Sequence, residues 1–133
     1  MKTIGILFVL SILLTTGIQA QKATNQTVKV PEITFKVTEH NFGTINQGTE
    51  TAFTFEYKNT GGADLIIQNV SSSCGCTIPS WTKAPVKKKK SGTVVVRYDS
   101  NRLGAFNKTI TIISNAKNSP VVLSIKGDVI KKE

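Results

Sequence analysis

Between Thr51 and Lys58 the chain reads Thr-Ala-Phe-Thr-Phe-Glu-Tyr-Lys. Phe53, Phe55 and Tyr57 fall on one side of this stretch, and Thr54, Glu56 and Lys58 on the other. A period of two with one apolar face is the signature of a half-buried strand. The same period returns along the chain. Gly92–Tyr98 aligns Val94, Val96 and Tyr98, and Lys108–Ile113 aligns Ile110 with Ile112. Pro120–Lys126 aligns Val121, Leu123 and Ile125, with Val129 continuing that face. Ile33–Val37 and Asp64–Val70 complete the set. β-branched and aromatic residues dominate these runs, as strands prefer. No stretch carries a helical period.

Turn chemistry punctuates the runs. Asn41–Gly48 separates the first strand from the second. Asn59-Thr-Gly-Gly62 reads as a tight hairpin, because Gly61 and Gly62 can take positive φ. Asn101–Gly104 and Asn115–Pro120 read as two more hairpins. Six strong strands and a weaker one near the cysteines predict an all-β, immunoglobulin-like β-sandwich of about seven antiparallel strands. A small barrel is the alternative. The two cysteines lie two positions apart, so they cannot join two sheets. The core must therefore come from the apolar faces, each buried side chain contributing roughly 1.5–3 kcal/mol.

The first twenty residues have a different character. Lys2 precedes the nearly unbroken apolar run Ile4–Leu14, and a more polar tail ends at Ala20. This is the layout of a secretory signal peptide cut after Ala20. The run is short for a membrane span, which needs roughly 20 apolar residues. Residues 21–32 read as a flexible leader, and residues 33–133 as one sandwich domain. The expected location is the periplasm or cell envelope, or outside the cell.

The chain of 133 residues carries a formal net charge of +9. Much of the excess is Lys87, Lys88, Lys89 and Lys90, with Lys83 nearby. Export and the lack of interleaved aromatic residues argue against nucleic acid as the partner. The run reads either as a solvated loop or as a patch for anionic envelope polymers or lipid head groups. Trp81 belongs either to that patch or to the end of the core, and the core is favoured.

Cys74-Gly75-Cys76 is the other chemical feature. In a fully extended strand the two Cα atoms would lie roughly 6.6–6.8 Å apart, at the upper limit for a disulfide. A bend at Gly75 brings them within range. Three readings stand: a local structural disulfide, a redox-active dithiol, or a claw for a soft metal ion such as Cu(I). His40, the only histidine, would be the one further nitrogen ligand. It reads better as an ordinary side chain. No catalytic triad, nucleophile elbow or phosphate-binding loop is signalled. No catalytic residue, resident metal or cofactor is expected.

Phe42-Gly-Thr-Ile45, Gln47-Gly48, Phe53-Thr-Phe55, Asn59 with Gly61-Gly62, Ser73-Cys-Gly-Cys-Thr77, Pro79, Trp81, Tyr98-Asp99, Gly104–Phe106, Lys108–Ile110 and Ser114-Asn115 occur in this order. The pattern resembles the bacterial domain-of-unknown-function family 1573, common in exported Bacteroidetes proteins, from about Ile33 to Ile130. The resemblance implies an immunoglobulin-like sandwich, more distantly similar to major-sperm-protein and Hydin-type binding modules. It brings no known activity or substrate. One departure is visible. The family often has Pro-Gly before the strand corresponding to Thr93–Tyr98, where this chain has Lys89-Lys90-Ser91-Gly92.

Together these features predict an exported, non-enzymatic binding or scaffolding module of the bacterial cell envelope. The alternative is a thiol-disulfide or copper-handling protein working through Cys74 and Cys76. The expected partner is a protein or an anionic envelope polymer. Membrane contact is expected only through an uncleaved signal segment.

Overall fold

The computed structural model describes residues 17, 19–21 and 27–133. The signal segment lies mostly outside the described residues, as does Lys22–Gln26 of the leader. Among the described residues no helix is long and apolar enough to cross a membrane. Eight strands follow in order: β1 (Ile33–Phe35), β2 (Glu39–Asn46), β3 (Thr51–Asn59), β4 (Ile67–Ser72), β5 (Thr77–Trp81), β6 (Ser91–Tyr98), β7 (Gly104–Ser114) and β8 (Val121–Ile130). They form two four-stranded sheets, ordered β1-β3-β6-β5 and β2-β8-β7-β4. The architecture is the expected immunoglobulin-like sandwich.

The alternating faces meet between the sheets. Phe55, Val94 and Val96 from one sheet and Ile110, Ile112, Leu123 and Ile125 from the other are fully buried. Each pleat sends every second residue inward, so the period in the sequence becomes the core directly. Tyr57 lies inward opposite Gly92, where any Cβ would strike the tyrosine ring. Phe106 likewise covers Gly127, its partner across the β7–β8 ladder.

Three features depart from the sequence reading. First, Asn41–Gly48 is not simply a turn. Most of it is β2, which pairs with β8 in parallel, so the sandwich is not wholly antiparallel. A bulge between Asn41 and Thr44, with Gly43 at φ 66°, interrupts the alternation that would have revealed the strand. Second, Asn59–Gly62 and Asn101–Gly104 are not hairpins. β3 and β4 lie in different sheets, as do β6 and β7, so both turns carry the chain between layers. Of the three, Asn115–Pro120 does close a hairpin, between β7 and β8. Third, the last residues before Ile33, Val30–Glu32, are hydrogen-bonded to the sandwich. Gly62 N–H donates to the Val30 carbonyl (2.8 Å), Lys117 N–H to that of Pro31 (3.0 Å) and Thr60 N–H to that of Glu32 (2.9 Å).

These bonds belong to one end of the sandwich, where Asn59 is the hub. Asn59 is polar yet 0% exposed. Its Nδ2 donates to the carbonyls of Ala63 (2.7 Å) and Val86 (2.9 Å), and its Oδ1 accepts the Gly61 N–H (3.0 Å). Its backbone N–H reaches the Lys90 carbonyl, and its carbonyl accepts the Lys89 N–H, both at 2.9 Å. Leu65 and Val86 exchange backbone bonds beside it. A buried amide is tolerated only when satisfied in this way. Gly61 packs so tightly on Val30–Glu32 that a side chain there would collide with their backbone.

Truncating Asn59 to Ala leaves the Ala63 carbonyl and the Gly61 N–H without these partners, while the Val86 carbonyl keeps the Leu65 N–H; each group left unpartnered costs about 1–3 kcal/mol. The expected loss is about 2–4 kcal/mol, measured by urea unfolding. A loss below about 1 kcal/mol, the size of one ordinary hydrogen bond, would contradict the hub.

Candidate functional site

The lysine run is a rigid structure rather than a loose loop. Lys90 N–H donates to the Lys87 carbonyl at 3.0 Å and closes a four-residue turn. Lys89, the third residue, has φ 64°. This is the pattern of a type II turn, which favours Pro second and Gly third. The turn therefore spans Lys87–Lys90, rather than the Lys89–Gly92 read from the sequence. The mutual backbone bonds of Asn59 with Lys89 and Lys90 fix the turn against the end of β3.

All four lysine side chains of the turn are exposed. Lys87 Nζ is 2.6 Å from Asp64 Oδ2. Lys58 lies opposite Ser91 in the β3–β6 ladder, immediately beside the turn. Lys29 lies against Gly62. Lys117 reaches Glu32 at 2.7 Å. The carboxylates at this end, Glu32 and Asp64, are thus both paired. Lys29, Lys58, Lys88, Lys89 and Lys90 have no carboxylate partner among the described residues. The remaining ion pairs, Lys36–Glu56, Arg97–Glu50, Arg102–Asp99 and Lys126–Glu39, lie along the sheets or at the other end. Exposed pairs add little stability, but their arrangement leaves the uncompensated charge concentrated here.

Lys83 is held differently. Its Nζ sits 3.0 Å from the centre of the Trp81 ring, a cation–π contact. Trp81 packs against the core, and its buried Nε1 has no hydrogen-bond partner. Sequence reasoning found Lys87–Lys90 but missed Lys29 and Lys58. Those two come from distant segments, and only the pairing of β3 with β6 and the docking of the leader bring them together.

The cysteines lie at the opposite end, where the chain passes from β4 to β5. Cys74 and Cys76 form a disulfide with their Cα atoms 5.3 Å apart. Cys74 is half-buried and Cys76 is buried. The bend is held from several sides. The Ser72 hydroxyl lies 2.6 Å from the Cys74 carbonyl and 2.8 Å from that of Thr77. Ser73 N–H donates to the Thr109 carbonyl (2.9 Å), and Asp99 N–H to that of Cys76 (2.8 Å). The Cys76 N–H points at Cys74 Sγ (3.3 Å), and the buried Thr77 hydroxyl lies 3.9 and 4.0 Å from the two sulfurs.

His40 is not beside the cysteines. It sits on β2, at the opposite edge of the same sheet from β4. Its ring stacks on Phe53 (3.7 Å between centroids) and meets Phe42 edge-on (4.5 Å). Burial lowers its pKa. Among the described residues no three His, Cys, Asp or Glu side chains gather where they could hold a metal ion.

Residues 33–129 match the family described as "Protein of unknown function (DUF1573)", and the chain belongs to that family. No curated protein matches it. Among solved structures it is similar to a protein of unknown function from Porphyromonas gingivalis W83 (TM-score 0.63, 18% identity), over 75% of this chain and 46% of that one. It is also similar to the ASH / PapD-like domain 7 of human CEP192 (TM-score 0.65, 12% identity), over 78% and 89% of the two chains. A third likeness is to the Vibrio cholerae VesB protease (TM-score 0.63, 17% identity), over 73% and 32%. At these identities the likeness concerns the fold. The chain spans less than half the length of the first and third of these structures.

Two outcomes follow from the geometry. Replacing Lys89 by Gly relieves a left-handed backbone that costs an L-residue roughly 1–2 kcal/mol, offset in part by the freedom of Gly in the unfolded chain. Denaturant unfolding should show a gain of about 0.5–1 kcal/mol; a loss of stability would contradict the turn. A Cys74→Ser/Cys76→Ser chain should remain folded, since so small a closed loop contributes about 1.5 kcal/mol in the chain-entropy account. A circular dichroism spectrum of an unfolded chain would contradict a core independent of sulfur.

Proposed function

We propose that this chain is an exported, non-enzymatic binding module of the bacterial cell envelope, and that its lysine end attracts an anionic partner. One observation carries the reading. Five lysines from three chain segments stand at one end without carboxylate partners among the described residues, three of them on a turn whose backbone is bonded to Asn59. Holding Lys89 where Gly would cost less works against stability. Such local strain persists where the surroundings over-determine it and is characteristic of recognition surfaces. Lysine ammonium groups act as mobile point charges and suit phosphate or carboxylate groups without demanding one geometry.

A second reading is thiol–disulfide exchange at the other end. It is favoured by the only partial burial of Cys74 and by the Cys76 N–H and Thr77 hydroxyl beside the bridge. An incoming thiolate of a partner would attack Cys74 Sγ, forming a mixed disulfide and releasing Cys76 as a thiolate. A thiol count on the folded chain after mild reductant separates the two readings. Two titratable thiols after mild treatment support exchange, and none opposes it.

The primary reading is tested with inorganic polyphosphate as the probe and Lys88→Gln/Lys90→Gln as the variant. Neutralising both should lower affinity at least about tenfold at low salt and flatten its dependence on ionic strength. Equal affinity and equal salt dependence in variant and wild type would remove the lysine end from the account.

A further inference from the structure

Resting on the reading of the lysine end as the binding surface, we infer that this surface meets a bilayer face rich in anionic head groups, with the sandwich standing end-on to the lipid. The argument begins with what accompanies the lysines. Val28 is 79% exposed and Val30 40% exposed, and they flank Lys29 on the segment that docks beside Gly62. Ile66, also 40% exposed, belongs to the same end, its N–H held by Asn115 Oδ1. Exposed aliphatic side chains among ammonium groups match the boundary of a bilayer. There, apolar groups enter the interfacial layer while cations remain with the phosphates.

The kind of cation matters as well. The charged groups that lack partners here are all lysines. The chain's two arginines lie elsewhere and are paired with Glu50 and Asp99. A shaped ligand is usually gripped by planar, bidentate guanidinium groups in a concavity. The depression beside Gly43 and Phe106 and the one beside Glu56 and Gly92 are not lined by Lys29, Lys58 or the lysine turn. Separate point charges suit a plane of many mobile phosphates better than one ligand of fixed shape. Glu32 and Asp64 are already neutralised by Lys117 and Lys87, so neither stands as a bare carboxylate facing the head groups.

Chain connectivity agrees. The backbone bonds of Val30, Pro31 and Glu32 place the entry of the chain at this same end. Everything upstream, including the apolar run Ile4–Leu14, is therefore joined to the domain beside the lysines. If that run touches lipid at any stage of export, the lysine end is the face nearest the membrane.

The test uses the full chain and vesicles of phosphatidylcholine with or without phosphatidylglycerol, read by flotation. Each lysine near an anionic surface contributes about 1 kcal/mol, so Lys88→Gln/Lys90→Gln should lower partition onto the anionic vesicles about thirtyfold. A charge-matched control, Lys131→Gln/Lys132→Gln, alters the exposed residues after β8 at the opposite end and should stay near wild type. All chains share the same first twenty residues, so any contribution of that segment is common to them. Neutral vesicles should not distinguish them. Equal losses in both variants would reduce the effect to net charge and overturn the inference. Unchanged vesicle binding in Lys88→Gln/Lys90→Gln would also overturn it. If that variant nevertheless loses polyphosphate binding, the lysine end remains the binding surface and only the bilayer is withdrawn. If neither probe responds, both fail together.

Discussion

A fully buried asparagine amide ties together stretches of chain that strand pairing alone does not join at one end of this sandwich. Asn59 reaches Ala63, Gly61, Val86, Lys89 and Lys90 through its side chain and backbone. The connection from β3 to β4 belongs to the crossing between sheets. The connection from β5 to β6 belongs to one sheet. With a smaller or apolar residue at this point, only backbone bonds such as the Leu65–Val86 pair would join the two connections, and the Ala63 carbonyl would lose its amide partner. The hydrophobic core specifies that two sheets pack. Asn59 specifies how their ends are closed.

The locked end has consequences for charge. A free loop of four lysines would spread to relieve repulsion. Here the backbone is fixed by hydrogen bonds, so the ammonium groups can move only as far as their side chains allow. The paired acids Asp64 and Glu32 each remove one lysine from the sum, and the rest stand together. At the other end the chemistry differs. The cysteine bridge closes a very small ring in a bend already held by Ser72, Ser73 and Asp99, so sulfur adds little to what backbone bonds supply. The two proposed functional readings therefore lie at opposite ends of the sandwich.

Much of the architecture was legible in the sequence because a strand's inward face is a local property. Phe55, Val94, Val96, Ile110, Ile112, Leu123 and Ile125 were named by alternation alone, and each is buried. Partner choice is not local. Asn59-Thr-Gly-Gly62 carries the chemistry of a hairpin, yet the chain uses it to leave one sheet for the other. The preference for positive φ says that the chain bends without saying where it goes. β2 was hidden because the bulge at Phe42-Gly43 breaks the period of two. The candidate site was half legible for the same reason. A run of four lysines is visible by inspection. Lys29 and Lys58 join it only after β3 has paired with β6 and the leader has docked, and the buried role of Asn59 requires Val86 to be in place.

The account depends on the lysine turn being part of the folded core's hydrogen-bond system rather than an appendage. Amide hydrogen exchange tests this residue by residue, because protection reports the free energy of opening each bond. The N–H groups of Asn59, Gly61 and Lys89 should exchange as slowly as those of Val94 and Val96 in β6. Exchange of the Lys89 and Gly61 amides at the rate of an unstructured peptide, with β6 still protected, would show that the end opens independently of the core and would contradict the central claim.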